Sequence, residues 1–293
     1  MLPTVRALFS QIIDYAGLFP PAKLQLDQAL RNYDRYRQGT EAWLLGRFFC
    51  PAARLTELVP LADEVSPLQG PLLLSVLGSG NPSRDQQAIS EVLERHSERI
   101  VVGGYECKST ELDVIDGFGV PVFVEPAPGA DWSAVVAAVA RRHQQANPFG
   151  FKLRCGGETA AAFPTSQQVA QVLAECRAAA IPIKFTAGLH HPLRHADASL
   201  GVKQHGFLNV FAAGILADAQ GLSTQDILRI IEEEDAKAFH FGEDLVSWRD
   251  RSVSAREIDA ARLGFVTSFG SCSFEEPVAD LREMGLLETM NDE

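Results

Sequence analysis

The sequence is short of several things, and each shortage narrows the reading. No apolar run approaches the roughly 20 residues that a bilayer-spanning helix needs. The opening stretch MLPTVRALFSQIIDYAG carries Asp14 within its apolar part and lacks the layout of a signal peptide. The expectation is a cytoplasmic protein with no membrane partner. Positive charge is scarce too: 26 Lys and Arg stand against 38 Asp and Glu, for a net charge of −12. Phosphate backbones select for clustered Lys and Arg, so nucleic acid is not an expected partner. The five cysteines (Cys50, Cys107, Cys155, Cys176 and Cys272) contain no C-x-x-C pair, which argues against a disulfide framework and a structural zinc site. Reduced thiols are expected, with Cys155 read as a small hydrophobe near a strand end. No G-x-G-x-x-G turn follows an apolar run, and no repeat, linker or low-complexity segment stands out.

What is present is a regular alternation. Seven short apolar runs, FSQIIDYAGLF, AWLLGRFFCP, PLLLSVLGSG, RIVVGGYECK, GVPVFVEPAP, FGFKLRCGG and IPIKFTAGL, are separated mostly by stretches of helical length. Val169, Val172, Leu173 and Cys176 fall at i, i+3, i+4 and i+7, and Thr165 with Gln168 reads as a capping box. Asn147-Pro148 breaks the preceding helical pattern before a strand. Strands alternating with helices give βαβ units and a parallel sheet. Two consecutive helices, LNVFAAGILADAQ and DILRIIEEEDAKAF, then precede an expected eighth strand in AFHFGEDLVSW, and SAREIDAARLGFVTS reads as a last helix. The expected fold is a single-domain (β/α)8 TIM-type barrel over residues 1–293, with residues 248–293 as a C-terminal helical extension. An open doubly wound sheet is the alternative.

Strand parity then asks where the charges point. In FGFKLRCGG, Phe149, Phe151 and Leu153 share one face, and Lys152 and Arg154 the other. In IPIKFTAG, Lys184 and Thr186 oppose Ile181, Ile183 and Phe185. Glu125 opposes Val120, Val122 and Val124, while Glu106 and Lys108 share a face of their own run. In a parallel barrel the aliphatic face meets the helices, which sends the charges inward, where the active sites of such barrels lie. Lys152, Arg154, Lys184, Glu106 and Glu125 are therefore expected to line one pocket. A lysine amine reacts only when neutral, and burial with neighbouring cations is expected to depress Lys152 from about 10.4.

The layout KLRCGG, a helix, then IKFTAGL resembles the strand-6 and strand-7 pair of the deoxyribose-phosphate aldolase family and related class I aldolases. The resemblance covers a short part of the chain and implies that Lys152 forms a Schiff base and that Lys184 tunes it. Arg154 and Cys155 stand where that family has small hydroxyl residues. As a whole the chain, with DYAGLFPPA, KFTAGLHHPLRH and SFGSCSFEEP, resembles an uncharacterised group of bacterial proteins.

Further candidates surround these residues. His190 and His191 follow the seventh run and titrate near neutrality, which suits a proton donor. Gly156, Gly157, Gly188 and Ser271 lie in turns whose backbone N–H groups can face an anion. Asp14 and Arg47, in the first and second runs, complete the substrate-binding set; Glu125 or Glu106 reads as the general base, with Asp14 a further candidate for that role. The expectation is an enzyme acting on a small phosphorylated or carboxylated metabolite, aldolase-like through Lys152. A non-covalent phosphate- or carboxylate-binding barrel, working as a transferase or by metal-assisted enolate chemistry, and a non-catalytic anion-binding sensor or scaffold are the alternatives. No cofactor is expected, a divalent metal completed by Glu106, Glu125 or Asp14 stays open, and so does a homo-oligomer.

Overall fold

The alternating runs close into a barrel. The computed structural model describes residues 1–65, 70–115, 118–145 and 148–288; Asn147 of the helix-breaking pair and residues 289–293 of the C-terminal segment lie outside these. Helix α1 (Pro3–Phe9) leads into strand β1 (Ile13–Tyr15). There follow α2 (Leu26–Gln38), β2 (Leu45–Pro51), α3 (Leu55–Val65), β3 (Leu72–Leu77), α4 (Pro82–His96) and β4 (Ile100–Lys108). A short 3-10 turn at Ser109–Val114 takes the place of a helix before β5 (Val122–Glu125). Next come α5 (Trp132–His143), β6 (Phe149–Arg154), α6 (Ser166–Ala178) and β7 (Ile183–Thr186).

After β7 the chain departs from the simple alternation. A two-stranded ribbon, β8 (His195–Asp197) with β9 (Val202–Gln204), precedes α7 (Phe207–Gln220) and α8 (Thr224–Ile231). An antiparallel sheet of β10 (Phe239–Phe241), β11 (Leu245–Trp248) and β12 (Arg251–Ser254) follows, then α9 (Ala255–Gly264), β13 (Val266–Ser271) and α10 (Glu275–Glu283). The barrel order is β1-β13-β7-β6-β5-β4-β3-β2, closed and parallel throughout.

The fold is thus the (β/α)8 barrel with additional C-terminal helices, but its eighth strand is β13 and not the expected AFHFGEDLVSW. That segment supplies β10 and β11 of the small sheet, whose half-exposed alternation mimics a strand of any kind. The true eighth strand, VTSFGS, has too few aliphatic residues to read as an apolar run. Residues 248–293, read as a helical extension, therefore also carry a stave of the barrel.

The outward faces explain the closure. Val122, Val124, Phe149, Phe151, Leu153, Ile183 and Phe185 are fully or almost fully buried against the helix layer. Each such side chain contributes about 1.5–3 kcal/mol when taken from water. Helix α6 buries Val169, Val172, Leu173 and Cys176, the face its spacing predicts, and begins with the Thr165–Gln168 capping box. A cap of this kind is worth about 1 kcal/mol. Helix α7 is buried from Phe207 through Ala217 because α6, α8 and α9 pack around it.

Candidate active site

With the aliphatic residues facing the helices, alternation turns the charges of five strands into the barrel. Strands β6 and β7 are in register at Lys152 and Lys184, so two ammonium groups arrive beside one another. Carboxylates keep them apart. Lys184 Nζ donates to Asp14 Oδ2 at 2.7 Å and also to Glu106 Oε1, which reaches across the interior from β4. Lys152 Nζ lies 2.7 Å from Glu106 Oε2 and 3.1 Å from Glu125 Oε2. The Glu106 Oε2 contact is a close ion pair without a well-aligned hydrogen bond. Asp14, Lys184, Glu106, Lys152 and Glu125 thus form a row of alternating charge.

One end of the row is sealed and the other is open. Lys184 and Lys152 are 1% and 2% exposed. Beyond them, Glu125 Oε1 accepts from Arg154 Nε at 2.8 Å and from Lys108 Nζ at 2.6 Å. The side chains of Arg154 and Lys108 are 46% and 43% exposed. Lys108, Glu125 and Arg154 are the last residues of β4, β5 and β6, at the end of the barrel where such folds carry their chemistry. The opening is covered in part by the connection after β1. Phe19 meets the Phe49 ring edge-on at 5.6 Å, and Lys23 pairs with Glu158 of the connection after β6 at 3.3 Å.

Buried charge is costly unless every partner is supplied, and here most are. Ser75 Oγ donates to Glu106 Oε1 at 2.6 Å, and Ser268 Oγ donates to Asp14 Oδ2 at 2.8 Å. Arg47 N–H donates to Asp14 Oδ1 at 2.7 Å, with its guanidinium 3.9 Å from Oδ2. A Cβ at Gly46 would stand 2.4 Å from Asp14 Oδ1, so only glycine leaves room for that carboxylate. The Phe49 ring centroid lies 5.1 Å from Lys152 Nζ and 5.2 Å from Lys184 Nζ, a favourable face for both cations.

The row also decides protonation. Burial works to raise the Glu106 carboxyl, but Lys152 and then Lys184 outweigh it and hold it below its ordinary value. Asp14 is held low in the same way, against its burial, by Lys184 and Arg47. Glu125 is lowered to about 2, its burial outweighed by Lys152 first and Arg154 next. For Lys152 burial favours the neutral amine, yet Glu106 and Glu125 overcome it and raise its pKa. This corrects the expectation of a depressed lysine: its nearest neighbours are carboxylates, not cations. Resting Lys152 is an ammonium, and Arg154 acts on Glu125 instead of on the lysine.

The structure brings Lys152, Lys184, Glu106, Glu125, Asp14 and Arg154 together as expected. Arg47 joins them from the N-terminal side of Phe49, braced on Asp14. His190 and His191 stay out of the row. They pair with Glu276 and Asp280 of α10 at 2.9 and 2.7 Å, and His191 meets the His195 ring at 4.6 Å. Gly156 and Gly188 have a packing reason: a Cβ on Gly156 would come within 2.7 Å of Gly188 Cα, where the connections after β6 and β7 cross. Gly157 similarly faces the Ala162 Cβ, which a Cβ of its own would approach to 2.8 Å. Ser271, at the end of β13, accepts at its carbonyl from Ala16 N–H and so fastens the exit of β1. Cys155 is fully buried and its thiol is pushed up by that burial, in keeping with its reading as a small hydrophobe.

Lys108, Ser75, Ser268 and Phe49 complete the site without having been singled out in the sequence. Only Lys108 had left a signal, its shared parity with Glu106. Among the described residues, no group of three or more His, Cys, Asp or Glu is placed to hold a metal ion. The carboxylates that a metal would need, Asp14, Glu106 and Glu125, each already hold an ammonium group. No helix of the described residues is long and apolar enough to cross a membrane. Comparison of the chain with protein-family models, with curated proteins and with solved structures found no match in any of the three.

Proposed function

We propose that the protein is an enzyme that takes a small anionic carbonyl compound and joins it to Lys152 as an imine, for aldolase-type making or breaking of a carbon–carbon bond. The observation that carries this reading is the position of Lys152, a buried ammonium between two carboxylates at the open end of the charge row. Lys184 is held by Glu106 and by Asp14, itself fastened by Ser268, while Lys152 adjoins Glu125, whose other partners Arg154 and Lys108 are half exposed. The likeness of KLRCGG and IKFTAGL to the class I aldolases points to the same lysine.

The chemistry balances within the row. Lys152 passes one proton to Glu125, and the free amine adds to the carbonyl carbon to form a carbinolamine. Glu125 returns its proton to the carbinolamine oxygen, which leaves as water once the nitrogen has given up a second hydrogen to it. Ammonium plus carbonyl becomes iminium plus water, with no net proton lost. The iminium then accepts the electron pair of the carbon–carbon bond broken beside it and becomes an enamine, while the departing fragment becomes a carbonyl and its hydroxyl proton passes to Glu125, ionised again once the water has left. Lys184 is fixed beside the reacting centre by Asp14 and Glu106.

Borohydride reduction in the presence of small aldehydes and ketones, read by intact mass, tests the proposal. The wild type gains the mass of the reduced adduct, and a folded Lys152→Met variant does not. The protonated resting state of Lys152 also suits a second reading, a non-covalent anion clamp. Saturable anion binding with no adduct from any carbonyl would favour that reading.

A further inference from the structure

The charge row also bears on which anion accompanies the carbonyl. A single carboxylate, Glu125, spans Lys152 on one side and Arg154 and Lys108 on the other. The gap between the reacting nitrogen and the two open cations is therefore one carboxylate wide. When Glu125 takes the proton of Lys152 both become neutral, and Arg154 and Lys108 lose their shared counter-ion beside the new amine. Two half-exposed cations at that spot call for an anionic group of the substrate, close to its carbonyl.

We infer that the substrate is a short 2-oxo acid whose carboxylate is held by Arg154 and Lys108 while its C2 joins Lys152. This deepens the imine reading and rests on it. With bonds of about 1.3–1.5 Å, a 2-oxo acid joined at C2 sets its nearer carboxylate oxygen about 3 Å from the imine nitrogen. The planar fork of an arginine suits a carboxylate in two-point contact, and a lysine adds a point charge beside it.

The usual place for a substrate phosphate in such barrels argues the same way. Phosphates sit by the connections after the last two strands, at a helix N-terminus. Here the helix after the last strand, α10, opens with Glu275 and Glu276, paired with Arg35 and His190. Carboxylates already occupy the positive end of that helix and would repel a phosphate.

Borohydride trapping at sub-saturating pyruvate, acetone or dihydroxyacetone phosphate separates the possibilities, using the full chain and its Arg154→Ala and Lys108→Ala variants. Both substituted side chains are half exposed, so the variants are expected to fold. The inference predicts that pyruvate labels Lys152 at least about tenfold faster than either other compound. Each variant should bring the pyruvate-to-acetone ratio down toward one. Fastest labelling by acetone or by the phosphate, or an unchanged ratio in both variants, overturns the 2-oxo acid and leaves the imine standing. No adduct from any of the three overturns the imine, and the inference with it.

Discussion

Glu106 and Glu233 are both buried carboxylates held by cations, yet they are built differently. Glu233 is satisfied from nearby in the chain. Its Oε1 accepts from the N–H groups of Glu234 and Asp235, and its Oε2 accepts from Trp248 Nε1 and the Arg249 guanidinium. These bonds anchor the small sheet to the turn after α8, and the partners are backbone groups, an indole and a guanidinium that keep their protons. Glu106 draws its partners, Ser75, Lys152 and Lys184, from three other strands of the barrel. Two of those partners are side-chain ammonium groups, and each touches a second carboxylate. A carboxylate walled in by fixed donors holds a fold together; one shared between two lysines also holds the amine of Lys152 in place.

Substitutions at the two positions sharpen this contrast. Glu106→Leu removes the counter-charge that two buried lysines share, and the expected cost is the largest, about 3–5 kcal/mol in urea unfolding. Acid should act on the same row. Glu125 contributes stability above its unfolded value of 4.5, and that contribution is lost as the pH falls towards its folded value of about 2. Roughly 3 kcal/mol disappears across this window, and Glu125→Gln flattens the acid limb of stability against pH. Lys152 works in the opposite direction: its contribution is complete below its ordinary value of 10.5 and fades as the pH rises through its raised one.

Glu233→Gln should cost less, about 1.5–3 kcal/mol, since the amide oxygen keeps one set of donors while its NH2 faces the other. The rate of adduct formation in the folded protein should stay the same, and a slowed rate would break the contrast between the two carboxylates. The smallest effect is expected at the exposed pair across the barrel mouth. Lys23→Ala should change unfolding stability by less than about 1 kcal/mol.

The parity of Lys152, Lys184, Glu106 and Glu125 made the row legible before the structure, because alternation within a strand is a local property. What parity could not supply was the meeting of strands. Which carboxylates stand next to Lys152 depends on barrel register, so the direction of its pKa could not be read from FKLRC alone. The eighth strand was hidden for a related reason. β13 lines the barrel with Ser268 and Gly270, small residues that make room for Asp14 and its partners and leave little hydrophobic signal. Lys108 was visible as a face-mate of Glu106, and its role appeared only when β5 brought Glu125 beside it.

The central claim is that Lys152, and not its more deeply enclosed neighbour, is the amine that meets a carbonyl. Peptide-level mass spectrometry of the borohydride-reduced protein locates the adduct directly. The modification is expected on Lys152 alone, absent from the other lysines and the N-terminus. An adduct on Lys184, or label spread over exposed lysines with none at Lys152, would contradict it.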